Sequence, residues 1–247
     1  MKKNKVLELT NVSLDLRQNS HGRSIKSWFV SLFSMKSEGP GSSTILKDIS
    51  LSIYSGDSLS IVGLNGSGKT TLLRVISGIY QPSKGHIFGE PTCAPLIELN
   101  GAFNPELSIV ENIQQLHILL GRDLSNLEQD IEQILDWSEL NEWRNKQVRL
   151  LSTGMLARLA FAIATSEDSN MLVIDESLSV GDMSFSRKAL SRIDSLTKRG
   201  AALILVTHDL DLAKNQTKKC IWMKDGEIFM QGSTSKVLRK YIKSFSA

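Results

Sequence analysis

"GLNGSGKT", Gly63–Thr70, is the stretch on which the reading of this 247-residue chain turns. It fits the pattern G-x-x-x-x-G-K-[ST]. The pattern has meaning only between a strand and a helix, and that is where it stands. "DSLSIV" before it reads as a strand, and "TLLRVISGI" after it reads as a short helix closed by Gly78 at its C-terminal end. Gly63, Gly66 and Gly68 let successive N–H groups converge on phosphate oxygens without a Cβ in the way. Asn65, Ser67 and Thr71 complete the cradle, and the helix adds its positive N-terminal end. In this reading Lys69 reaches the β- and γ-phosphates, and the Thr70 hydroxyl ligates Mg²⁺.

Upstream, "KVLELTNVSLDL" alternates apolar and polar residues and predicts a half-buried strand. "TILKDISLSIYSGDSLSIVG" resumes that alternation, with "SGD" as a turn. Residues 18–44 break the pattern between them. Within the break, "SIKSWFVSLFSMK" (24–36) reads as an amphipathic helix, with Ile25, Trp28, Phe29, Leu32 and Phe33 on one stripe. Two readings stay open for it: a helix near a membrane surface or partner, and a helix that covers the edge of the first sheet.

Downstream, about 106–165 is helical in character. Ser108 with Glu111, and Ser125 with Glu128, fit capping boxes. A buried strand "MLVIDE", a helix over roughly 183–199 and a second buried strand "ALILVTH" follow. Continuous apolar strands alternating with helices imply a parallel sheet covered on both faces. "IWMKDGEIFMQG" reads as a hairpin about Asp225-Gly226. The last helix carries Val237, Leu238, Tyr241, Ile242 and Phe245 on one side.

Further candidate chemistry clusters after these strands. Asp175 and Glu176 end an apolar strand where a parallel sheet opens onto its ligand crevice. Asp175 is placed to hold Mg²⁺, and Glu176 to orient or deprotonate an attacking water. His208 follows another strand end and can contact a γ-phosphate, though a lone histidine is as readily structural. "LLSTGMLARLAFAIA" (150–164) puts Ser152 and Gly154 at a helix N-terminus. That is an anion site facing another subunit's nucleotide, or an ordinary cap.

Composition narrows the rest. The chain is 41% hydrophobic and carries a net charge of +3 with no dominant Lys/Arg block, which gives no pointer to nucleic acid. Cys93 and Cys220 form no metal-type pair and fit ordinary packing. The basic start lacks an apolar h-region, so no signal peptide is expected. No run approaches 18 apolar residues, so any membrane span is expected from another polypeptide.

The order of phosphate loop, L-S-x-G-[QM] segment, apolar-Asp-Glu strand, S-x-x-D loop and histidine loop resembles the ATP-binding cassette (ABC) family. In detail it is similar to the subunits that energise polysaccharide export, of the O-antigen, capsule and teichoic-acid type. The carrying residues are "LSTGMLARLAFAIA", "VIDESLSVGD" and "LIELNGAFNPELSIVENI". The resemblance covers nearly the whole chain. It implies an α/β P-loop ATPase core with a mixed or parallel sheet, an N-terminal antiparallel β part and an inserted helical subdomain. The whole chain, 1–247, would be one ATP-binding domain. Its nucleotide core would span 1–95 and 166–247, its helical subdomain about 96–165, and its amphipathic insert about 18–44.

Residue by residue, the resemblance implies that Ser152 and Gly154 bind the γ-phosphate of ATP held by a second copy of the chain. Residues 179–182, "SVGD", ending in Asp182, would cross that seam, with His208 as switch histidine and Glu176 as base. ATP and Mg²⁺ would be the cofactors. A dimeric transmembrane permease would be the partner, a lipid-linked glycan the indirect cargo, and the cytoplasmic face of the membrane the location, with no nucleic acid bound. Two departures stand out. The window where many relatives carry a glutamine reads Glu98-Leu99-Asn100, and Leu16 stands near the place of the adenine-stacking aromatic. A nucleic-acid-associated cassette would carry two cassettes or a coiled-coil insert. A drug or small-lipid exporter fits the front insert and the G-x-F-x-P-E-L segment less well. A glycan-binding module is not expected, because the chain stops soon after its hairpin.

Overall fold

The computed structural model describes residues 4–17, 42–89, 101–166, 169–175 and 183–245. Two sheets carry the fold. Strands β1 (Lys5–Arg17), β2 (Ser42–Tyr54) and β4 (Lys84–Phe88) form an antiparallel sheet in the order β2-β1-β4. Strands β3 (Ser58–Val62), β5 (Met171–Ile174), β6 (Ala202–Val206), β7 (Lys219–Lys224) and β8 (Glu227–Ser233) form a second sheet in the order β5-β6-β3-β7-β8. Its first four strands are parallel and β8 is antiparallel, so the sheet is mixed. The interruption read at 18–44 is over by Ser42, where β2 begins. Residues 18–41, with the amphipathic stretch, lie outside the described residues.

The α-helices bounded within the described residues are α1 (Lys69–Ile76), α2 (Ile109–Leu119), α3 (Leu127–Ser138), α4 (Thr153–Thr165), α5 (Met183–Lys198), α6 (Leu210–Gln216) and α7 (Thr234–Lys243). Strands β5 and β6 are apolar and buried throughout because both faces of the sheet are covered there. Met171 and Val173 of β5, with Ala202, Ile204 and Val206 of β6, join α1 and the antiparallel sheet in one core. Leu172, Ile174, Leu203 and Leu205 point the other way, into a core shared with α2, α3, α4 and α5. The interior of the helical region is therefore continuous with one face of the sheet, and the second half of α4 lies within that junction.

Phe161 of α4 is the pivot of the shared core. Its ring stacks on Trp137 at 5.1 Å and meets Phe185 edge-on at 5.9 Å. Phe161→Ala is expected to cost about 3–5 kcal/mol of unfolding free energy, and Phe161→Leu considerably less. Urea titration of both variants checks this, and equal losses would contradict a packing origin.

Local details differ from the sequence reading in two places. The Ser108–Glu111 capping box forms, with the Glu111 backbone N–H donating to Ser108 Oγ at 3.3 Å and Ser108 N–H to Glu111 Oε2 at 2.8 Å. The Ser108 hydroxyl and amide together hold the Glu111 carboxyl below its usual range. The Ser125–Glu128 box does not form. The cap of α3 is Asn126, while Ser125 bonds Asp123 through its hydroxyl at 2.7 Å and its N–H at 3.0 Å. A carboxylate two residues back offers a charged acceptor and a ready turn, which outcompetes the box. On α7, Val237, Leu238 and Tyr241 are buried, but Ile242 and Phe245 are exposed. Ile242 falls about 140° round the helix from Val237, and Phe245 lies beyond the last helical residue. Cys220 is buried, and burial pushes its thiol up to about 11, in keeping with a packing role. Cys93 lies outside the described residues.

Candidate functional site

The parallel strands β5, β6 and β3 are neighbours in register, so their C-terminal ends meet at one end of the sheet. The phosphate loop leaves β3 there, Asp175 follows β5, and His208 stands two residues past β6. Open parallel sheets bind ligands at this end. One end of the sheet thus gathers the loop with a carboxylate and a histidine that lie more than a hundred positions beyond it in the sequence.

The loop's shape is set from below. A Cβ on Gly63 would lie 2.4 Å from the Met223 carbonyl oxygen of β7 and 2.7 Å from Ser67 Oγ, so no larger residue fits. Gly68 caps α1 in the left-handed region at φ 98°, and the cap makes no side-chain hydrogen bond. The first N–H groups of α1 are therefore not claimed by a capping side chain, which is the condition for an anion site. Leu64, Asn65, Gly66 and Thr70 are exposed, Thr71 is half-buried, and Ser67, Gly68 and Lys69 are buried. The Lys69 ammonium donates to the carbonyls of Gly63 at 2.8 Å and Leu64 at 3.1 Å. It is held over the loop's own backbone, close to where phosphate oxygens would lie.

The sequence reading missed what supports this loop. The β7–β8 turn, Asp225-Gly226, does form the expected hairpin, with φ of 50° and 83°. Its tip is also the loop's buttress: Gly226 N–H donates to Ser67 O at 3.2 Å, and Gly226 O accepts from Lys47 N–H at 2.9 Å. A Cβ on Gly226 would sit 2.4 Å from the Ile45 carbonyl oxygen. A glycine demanded by an I′-type turn was legible. That its lack of a side chain also lets β2 approach was not.

His208 is exposed, between a buried Thr207 and Asp209. Asp209 fixes the bend: its N–H donates to Thr207 Oγ1 at 3.0 Å, and its carboxylate accepts from the N–H groups of Asp211 and Leu212 at 2.9 Å each, capping α6. Leu16 is half-buried and packs against the core beneath the antiparallel sheet. Glu176, Asp182, Glu98 and Asn100 lie outside the described residues.

Ser152 and Gly154 stand at the start of α4. Ser152 caps α4, its Oγ accepting from Met155 N–H at 3.2 Å. A Cβ on Gly154 would meet nothing within 4 Å. Among the described residues no hydrogen bond joins this helix end to the phosphate loop of the same chain.

The profile of the ABC transporter family matches residues 46–179, which contain the phosphate loop, Ser152 and Asp175. The chain belongs to the ABC transporter family. As a cassette of this family it is an ATPase. Its fold is similar to that of a dimeric ATP-binding cassette solved in a post-hydrolysis state bound to ADP and Pi. That likeness has a TM-score of 0.74 at 21% identity and covers 93% of this chain and 99% of that one.

The cassette is also similar to the O-antigen export system ATP-binding protein of Klebsiella pneumoniae. It is 33% identical over 196 residues, covering 79% of this chain and 80% of that protein. The protein of the same description from Myxococcus xanthus is 37% identical over 203 residues, which cover 82% of this chain but only 46% of the relative. The teichoic acids export ATP-binding protein of Listeria monocytogenes is 33% identical over 212 residues, covering 85% of this chain and 62% of the relative. Against two of these three the cassette thus spans less than two thirds of the relative's length. No helix among the described residues is long and apolar enough to cross a membrane.

Proposed function

We propose that this cassette hydrolyses ATP to drive export of a lipid-linked polysaccharide, of the O-antigen type, across the cytoplasmic membrane. The supporting observation is the likeness to an O-antigen export ATP-binding protein that extends over four fifths of that protein's length. The teichoic-acid relatives favour a second cargo of the same chemical class, a glycan on a lipid carrier.

In this reading Gly63, Asn65, Gly66, Ser67, Gly68 and Thr71 present backbone N–H groups to the phosphates. Lys69 moves its ammonium from the loop carbonyls to the β- and γ-phosphate oxygens. Thr70 and Asp175, hard oxygen donors at the same end of the sheet, suit Mg²⁺, with Asp175 acting directly or through water. That ion would neutralise charge on the phosphates. Glu176 takes the proton of the attacking water, and His208 contacts the γ-phosphate. Ser152, Gly154 and Asp182 act on the nucleotide of a second copy, so ATP bridges two subunits. That Ser152 makes no hydrogen bond to its own phosphate loop among the described residues suits this division.

Nucleotide binding then closes the homodimer and hydrolysis opens it. A permease dimer in the membrane turns that cycle into glycan movement, with the cassette peripheral on the cytoplasmic face. It meets the glycan only indirectly and binds no nucleic acid. The chain works as one domain, with a nucleotide core of about 1–95 and 166–247, helices of about 96–165, and a partner-facing insert at its front.

Removing the gene from its source cell tests the whole. Surface glycan should disappear and lipid-linked glycan should accumulate on the cytoplasmic leaflet. The intact chain should restore export and Lys69→Ala should not. Unchanged surface glycan in the deletion strain would refute the assignment.

A further inference from the structure

A hydrogen-bonded seam in the helical region is not used by the phosphate chemistry. Residues 105–110 and 144–149 run side by side, bridged at Ser108 and Gln147. Val148 N–H donates to Leu107 O at 3.0 Å, and Arg149 N–H to Pro105 O at 3.1 Å. Ile109 N–H donates to Lys146 O at 3.1 Å, and Val110 N–H to Arg144 O at 3.2 Å. The Gln147 side chain adds a bond to Glu106 O at 3.0 Å. Past Arg149 little slack remains. A single 3-10 turn spans Val148–Leu150, Leu151 N–H closes on Val148 O at 3.0 Å, and the next residue is Ser152, the cap of α4.

Asn112 fastens the far side of this seam. It is 1% exposed. Its Oδ1 accepts from Asn104 N–H at 2.7 Å. Its Nδ2 donates to the carbonyls of Asn104 at 3.0 Å, Leu107 at 3.2 Å and Ser108 at 2.9 Å. Both ends of the Asn104–Ser108 turn are thereby tied to α2. The Leu107 carbonyl is shared, since it accepts from Asn112 on one side and from Val148 on the other. A continuous path of hydrogen bonds and a tight turn runs from the buried amide to Ser152. A buried amide with every bond made is costly to disturb, so its geometry is well fixed.

We propose that Asn112 is a positioning residue for the Ser152 end of α4. It locks the Asn104–Ser108 turn, the turn laces residues 144–149, and the lace sets where α4 begins. The amide itself touches no nucleotide and acts through the seam. The proposal rests on the reading of Ser152 as a contact to the opposed subunit's ATP.

Two variants test it. Asn112→Asp keeps the acceptor for Asn104 N–H and loses the three donations. Gln147→Ala removes the side-chain bond to Glu106 O across the seam and the one from Arg149 Nε, and leaves Asn112 untouched. Fluorescent-nucleotide binding to the separate subunits, kcat at saturating ATP, and ATP-driven dimerisation on a Glu176→Gln background are measured for each. Nucleotide affinity should stay within about twofold, because the phosphate loop is not involved. For Asn112→Asp, kcat should fall and the dimer's dissociation constant rise about fivefold, with smaller changes of the same sign for Gln147→Ala. Unchanged dimerisation and kcat in Asn112→Asp would overturn the proposal. So would a fall in nucleotide affinity parallel to the other losses, since that marks general unfolding. If the Glu176→Gln parent does not dimerise with ATP, the reading of Ser152 itself fails and the proposal falls with it, a result distinct from a dimerising parent matched by its variants.

Discussion

Lys69→Ala is expected to lower ATP turnover by about 10²–10³-fold while leaving the fold in place. The ammonium is the one side-chain cation of the phosphate loop, and the charge it faces grows on the transferring phosphoryl oxygens. Lys69 itself is buried, and a positioned donor is worth far more in such a setting than in bulk solvent. The fold should survive because the partners of the lysine include two carbonyls of its own loop, Gly63 O and Leu64 O. Leu64 is exposed, so water can replace the lost donor at that carbonyl. Lys69→Arg is expected to be nearly as inactive. Its side chain carries the charge, but the position is 7% exposed and has no room for a planar fork. Phosphate release at saturating ATP, with far-UV circular dichroism as the control for folding, decides the matter. Turnover within a few-fold of the parent would remove Lys69 from the site.

The phosphate loop was legible because its residue types are dictated by geometry. Glycines at 63 and 68 are required wherever a backbone must pass close to another strand or turn left-handed before a helix, as the Met223 contact and the φ of Gly68 show. Strands β5 and β6 were legible for a related reason: covered on both faces, they carry no polar position to blur the run. What escaped the sequence was long-range. Nothing in "MKDGEI" says that its turn braces Ser67 and admits β2. Nothing in "ENI" says that the asparagine's four bonds all reach back into the preceding turn and the residues beside it. The missed cap at Ser125 has a different origin, since two local patterns overlapped and the nearer carboxylate prevailed. Hydrogen bonds of this kind depend on which partners the folded chain brings together, and spacing along the chain does not record that.

Glu176→Gln is expected to separate binding from chemistry. The glutamine matches the glutamate in size and keeps its hydrogen-bonding reach, but it cannot take a proton. If Glu176 is the base, kcat should fall about 10²–10⁴-fold, with ATP affinity unchanged. The consequence for assembly is the more telling measurement. When ATP bridges the phosphate loop of one subunit and the Ser152 helix of the other, the closed dimer gains stability from every contact the γ-phosphate makes across the seam, and turnover is what relieves it. Blocking turnover should therefore accumulate dimer in magnesium-ATP, and ADP should leave the chain monomeric because the bridging group is absent. Adding Ser152→Ala to the trapped variant should weaken that dimer while sparing ATP binding to each subunit, because Ser152 caps a helix with no hydrogen bond to its own phosphate loop among the described residues. Sedimentation velocity across a protein dilution series distinguishes the states. A Glu176→Gln variant that sediments as monomer with magnesium-ATP as it does with ADP, or that hydrolyses ATP at the parental rate, would refute both the base and the bridge.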